Sequence, residues 1–120
     1  MDNYKKITLL LKDKINNTVL LENKVLLTSC YKNLNTEIPE DKIVISEVIP
    51  DDEYETVLTN FAPYMEIDNL LPFLVAMGGN QVFCIGYGAE NYGLIYYYDM
   101  DFGCFELEGD NLDNFLLKLA

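Results

Sequence analysis

The 120-residue chain contains no histidine, no arginine and no tryptophan. Without histidine it lacks the side chain that most often serves as general base or binds a transition metal. Without arginine it lacks the planar fork that clamps phosphates and carboxylates. Its eight lysines face twenty acids, for a formal net charge of -12. Such a chain is poorly suited to neutralise phosphates, so nucleic acid is not an expected partner. Cys30, Cys84 and Cys104 are odd in number and widely spaced, which argues against a disulfide framework or a structural zinc site. With no histidine as base, a nucleophilic cysteine is disfavoured as well. No apolar run approaches the roughly 18–20 residues of a membrane-spanning helix. The stretch Ile7–Leu11 follows two lysines, but it is too short for a signal-peptide core and no small-residue cleavage pattern follows it. The expectation is a soluble, cytoplasmic protein without cofactor, metal or membrane partner.

Half of the residues are apolar or aromatic, enough for a core in one domain over residues 1–120. The charge is unevenly placed. Residues 1–36 hold six lysines and three acids, whereas residues 37–120 hold two lysines and seventeen acids. An acidic surface of this kind steers cationic proteins toward it.

Asn3–Ile15 fits a helix or a strand, and Asn16-Asn17 marks a turn. Thr18–Tyr31 reads as a hairpin of TVLL and KVLLTSCY around Glu22-Asn23, although its leucines suit a helix as well. Lys32–Asp41 reads as a loop broken by Pro39. Lys42–Ile49 is β-branched and closed by Pro50, which predicts a strand. Pro50–Phe61 opens on acids and carries Val57, Leu58 and Phe61 as a partial stripe, which predicts a helix ended by Pro63. From Leu70 onward LLPFLVAM, QVFCIG, GLIYYYD and GCFELE, separated by GGN, YGAENY and a turn at DMDF, predict an antiparallel meander. Val82–Ile85 is continuously apolar, as for a strand covered on both faces. Phe105 and Leu107 alternate with Glu106 and Glu108, as on an edge. A short helix closes the chain, with Asp110 as N-cap, Asp113 completing a box-like pair, and Leu112, Phe115, Leu116 and Leu119 on one face.

These late stretches resemble the SUKH superfamily of Smi/Knr-like proteins. The resemblance rests on the order of LLPFLVAMGGNQVFCIG (Leu70–Gly86), ENYGLIYYYDMD (Glu90–Asp101) and LEGDNLDNFLLKL (Leu107–Leu119). The turn Asp99-Met100-Asp101 departs from the family pattern in having no histidine, and the usual N-terminal element is not visible in residues 1–36. The resemblance implies an α+β fold, a twisted antiparallel sheet with flanking helices. It implies, further, a bacterial immunity protein that binds and neutralises a toxin, often a nuclease, or alternatively a signalling adaptor. Neither role needs catalytic residues.

Several stretches compete as sites. Pro39–Glu55 carries seven acids against one lysine. As a solvated edge it has no function; as a docking face, Asp51, Asp52, Glu53 and Glu55 mimic phosphates toward a basic cleft, acting through their collective field. GYGAENYG (Gly86–Gly93) fails the nucleotide fingerprint and reads as a flexible hairpin loop whose Tyr87, Glu90 and Tyr92 make a binding tip. Asp99 and Asp101 can share a face toward Mg²⁺ or Ca²⁺, but the simpler reading is solvated acids at a strand end. Tyr96–Tyr98 alternates faces, mostly as core, with an exposed platform as the minor reading. The function expected is stoichiometric binding of a basic, nuclease-type toxin. An adaptor for a host protein, or a homodimer, is the alternative.

Overall fold

Ile7, Leu11 and Ile15 recur at helical spacing and are buried, so Asn3–Lys14 forms helix α1. Asp2 caps it, its carboxylate accepting from the Tyr4 N–H at 2.9 Å, and Lys12 and Lys14 lie in the last turn, where the helix dipole favours cations. The fold is seen in a computed structural model that describes residues 2–15, 21–78 and 80–120. The turn expected at Asn16-Asn17, the arm Thr18–Leu20 and Gly79 lie outside these residues.

Strands β1 (Val25–Leu27), β2 (Lys42–Val48), β3 (Leu70–Ala76), β4 (Gln81–Gly86), β5 (Ile95–Asp99) and β6 (Gly103–Glu106) form one antiparallel sheet in chain order. The meander from Leu70 is as the sequence predicts. Strand β1 pairs with β2, with Val25 opposite Val44 and Leu27 opposite Lys42; the hairpin arm expected at Thr18–Leu21 falls almost wholly outside the described residues. One early expectation is corrected. The intervening stretch is not wholly loop, because Lys32–Glu37 forms a short helix, α2. Tertiary contacts hold it: Leu34 is fully buried and Asn33 Nδ2 donates to the Glu106 carbonyl at 2.6 Å. Ile38 leaves the helix with extended backbone, as a residue before proline prefers.

Pro72 sits inside a central strand, which is tolerated because the register shifts there: Pro72 faces Cys84 and Leu74 faces Phe83, leaving Phe73 as the extra residue. After β2 a 3-10 turn, Asp51–Glu53, leads into helix α3 (Tyr54–Phe61), which passes into a second 3-10 turn containing Pro63. Helix α4 (Leu112–Leu117) is capped by Asn111, whose Oδ1 accepts from the Asn114 N–H at 2.9 Å. Asp110, the expected cap, instead accepts from the Tyr31 hydroxyl and the Lys118 ammonium.

The sheet is covered on both faces. Phe83, Ile85 and Tyr97 belong to the main core with Ile7, Leu11 and Phe115. Phe115 meets Phe83 and Phe73 with ring centroids 5.0 and 6.1 Å away, in the tilted and edge-on geometries aromatic rings favour. Val82, Cys84, Tyr96 and Tyr98 form a smaller core on the opposite face, under Phe61, Met65 and Ile67. The three tyrosines alternate faces as expected, and all are buried, so neither face is an exposed aromatic platform.

Candidate functional site

Tyr54 is buried while Asp51, Asp52, Glu53 and Glu55 around it are exposed. The anchoring tyrosine therefore turns the acids outward at the start of α3, where the helix dipole favours them. Lys12 of α1 comes within 3.9 Å of Asp51 with both side chains exposed, a pairing worth little alone.

Tyr87 joins this cluster through a residue outside the expected set. Its ring meets that of Tyr4 edge-on, centroids 5.3 Å apart. Tyr4, Glu55, Leu58, Thr59 and Tyr87 line a recess of about 420 Å³. A neighbouring recess of about 370 Å³ shares Tyr4 and Glu55 and adds Thr8, Leu9, Lys12, Asp51, Asp52 and Tyr54. The two make one groove between α1, α3 and the β4–β5 loop. Of the described residues lining it, Lys12 is the single cation. Burial, then Glu55, raises the pKa of the Tyr4 hydroxyl; burial, then Asp2 and Asp68, raises that of Tyr87. Both stay protonated at neutral pH and can donate hydrogen bonds beside a carboxylate.

The loop carrying Tyr87 is pinned, not the flexible connection expected. Gly88 N–H donates to Asn91 Oδ1 at 2.8 Å, Gly86 N–H to the Leu94 carbonyl at 2.9 Å, and Tyr87 N–H to the Asn69 carbonyl at 2.8 Å. A Cβ on Gly86 would overlap the Asn91 carbonyl. Glu90, from the same loop, lies instead on a separate recess of about 580 Å³ with Ile67, Asp68, Leu94 and Glu106. Tyr92 is exposed on the loop and lines neither. The structure thus brings Asp51, Asp52, Glu55 and Tyr87 together, keeps Glu53 on the same turn, and leaves Glu90 and Tyr92 outside the groove. Tyr4, Leu9 and Leu58 were missed. Tyr4, Ile7 and Leu11 share a helical stripe, and that spacing was the signal available.

Asp99 is not solvated. It is buried, its Oδ2 accepting from the Tyr97 hydroxyl at 3.2 Å and its Oδ1 from the Asp101 N–H at 2.8 Å. Asp101 is exposed. Among the described residues no group of three or more His, Cys, Asp or Glu side chains is placed to hold a metal ion. Burial pushes the Cys84 thiol well up and that of Cys104 to about 11, so neither is a thiolate at neutral pH. No helix among the described residues is long and apolar enough to cross a membrane.

The groove is lined by phenols and carboxylates. The RhsPI family profile matches residues 20–120. The chain belongs to the RhsPI family. This is a family of Rhs-associated immunity proteins, so its members' role is to neutralise an Rhs toxin, and a cognate toxin is the partner implied. The immunity role anticipated from the SUKH resemblance agrees with this at the level of function. In this RhsPI protein α1, with Tyr4, Leu9 and Lys12, precedes the matched residues. No curated protein matches the chain.

Proposed function

We propose that this RhsPI protein neutralises its toxin by stoichiometric, non-catalytic binding in the cytoplasm, and that the toxin is a basic, nuclease-type domain docked on the groove. The observation that carries the reading is the meeting of Tyr4 with Tyr87 beside Glu55, Asp51 and Asp52. Tyrosines supply large rigid contact area at low entropic cost. The carboxylates meet lysines and arginines that would otherwise hold nucleic acid, and the net charge of -12 speeds encounter. The raised thiol pKa values and the lack of histidine support binding without chemistry. A distant kinship with SUKH proteins is proposed alongside, supported by the order of the three stretches quoted above.

The test is the association rate with the purified toxin domain encoded beside this gene, followed from low to high salt. Steered docking predicts a steep fall in association rate with ionic strength and a further fall in Asp51→Lys/Glu55→Lys. A rate indifferent to both, or no complex at all, refutes it.

A further inference from the structure

Eight large apolar side chains stand exposed among the described residues, and four of them, Leu27, Met77, Met100 and Phe102, lie along one end of the sheet, from β1 to the β5–β6 turn. Register places them there: Leu27 faces Lys42, Ile45 faces Ala76, and Asp99 faces both Gln81 and Gly103. The Met100 N–H donates to the Asn80 carbonyl at 3.2 Å, joining the two turns, and the Met77 N–H donates to the Val44 carbonyl at 2.8 Å. Tyr87 follows the other end of β4, so this patch and the groove stand roughly 20 Å apart along that strand.

The rim of the patch is net anionic, Glu40, Asp41 and Asp101 outnumbering the exposed Lys42. Asp41 sits beside Leu27, its carbonyl accepting from the Thr28 N–H at 3.0 Å. Asp101 lies between Met100 and Phe102 in the turn, and Glu40 is exposed next to Asp41. Between Met77 and Tyr97 opens a recess of about 170 Å³ lined also by Glu40, Lys42 and Gln81. Gln81 Oε1 is buried and accepts no hydrogen bond.

We propose that this sheet end is a second docking surface for the toxin, and that its occupant is a basic, apolar-faced segment of that partner. The proposal rests on the immunity reading above. Methionines adapt to irregular apolar partners, and methionine and aromatic residues concentrate at interfaces. The carboxylate rim selects lysines or arginines on the segment that covers it. One such N–H entering the recess would give Gln81 Oε1 the donor it lacks. A second copy of this chain is a poor occupant, because Glu40, Asp41 and Asp101 would meet like charges. An interface of about 800 Å² per partner is roughly 30 Å across, wide enough for one toxin to reach both surfaces.

The experiment measures the affinity of the adjacent-encoded toxin domain for the full chain, for Met100→Ser/Phe102→Ser, and for the groove variant Glu55→Lys. The expected result is a Kd raised about tenfold or more in the double variant, carried by faster dissociation, with an unchanged thermal midpoint. Leu27→Ser/Met77→Ser, at the other side of the patch, should repeat the loss and guards against local misfolding. Unaltered affinity in both double variants, with binding weakened by Glu55→Lys, overturns this inference and leaves the immunity reading standing. No binding by the wild-type chain overturns both. Sedimentation as a dimer that the double variants render monomeric assigns the patch to self-association, and overturns it too.

Discussion

Tyr31 donates its phenolic hydrogen to Asp110 Oδ2 at 2.7 Å, across 79 residues of sequence. Lys118 Nζ reaches the same oxygen at 2.6 Å and stands 4.4 Å from the centre of the Tyr31 ring. The three groups tie the approach to α2 to both ends of α4. Because Tyr31 is buried and accepts this role with a carboxylate, Tyr31→Phe should lower the unfolding free energy by about 1–2 kcal/mol. The measurement is a urea titration, in which the midpoint falls at constant slope. An unmoved midpoint would mean that Lys118 holds Asp110 unaided.

The same cluster sets a pH response. Burial pushes the Asp110 carboxyl upward, but hydrogen bonds from Lys118, Tyr31 and the Asn111 N–H outweigh it and hold the pKa below the ordinary 3.8. In acid the unfolded chain therefore binds more protons than the folded one. The stability Asp110 contributes is full above pH 3.8 and drains away as pH falls through the lowered native value. In alkali the sign reverses. Burial, then Asp110, raises the Tyr31 pKa above 10.0, and burial, then Asp99, raises that of Tyr97. Their contributions are full below pH 10.0 and fade as pH rises beyond it. Urea midpoints plotted against pH should fall at both extremes. Asp110→Asn should flatten the acid limb, and Tyr97→Phe the alkaline one. Limbs of unchanged steepness would assign the titration to other groups.

Gly86 is held against the Asn91 carbonyl with no room for a methyl group. Gly86→Ala should displace the loop and destabilise the protein by about 1–3 kcal/mol, the usual range for forced overpacking. It should weaken toxin binding also, because Tyr87 is the next residue. Calorimetric unfolding and a binding titration read the two effects, and full stability with full affinity would show that the loop shifts freely.

Gln81 Oε1 is buried without a donor. Replacing it by an apolar side chain of similar length removes that desolvation penalty, so Gln81→Met should leave the free protein as stable or more stable. Differential scanning fluorimetry decides it. A lowered midpoint would show that the oxygen binds a water in solution.

The strands after Leu70 are legible in sequence because their signals are local: apolar runs of strand length, separated by glycine-bearing turns. Val82–Ile85 also reveals its double coverage, since no polar residue interrupts it. What stays hidden is set at long range. Lys32–Glu37 contains Asn33, Asn35 and Thr36, weak helix formers, and is helical through Leu34 in the core and Asn33 on β6. The α4 cap follows the same logic, because Tyr31 and Lys118 claim Asp110 and leave Asn111 to cap. Half of the groove is visible as an acidic run and a tyrosine loop. The other half, Tyr4 on α1, is hinted at only by the helical stripe it shares with Ile7 and Leu11; its meeting with Tyr87 is set by tertiary packing.

Tyr96, Tyr97 and Tyr98 point alternately into two different cores, and this repetition shifts a burden onto their neighbours. If β5 slid one residue past β4, two of the three tyrosine sites would still receive a tyrosine, so the triplet by itself proofreads its alignment poorly. The penalty falls at the strand's ends. A slip one way would place the Asp99 carboxylate in the apolar site of Tyr98, and a slip the other way would carry Ile95 out of the main core. Correct pairing is therefore policed by one carboxylate and one aliphatic side chain, and variants at these two positions should populate misaligned hairpins that variants of the tyrosines do not.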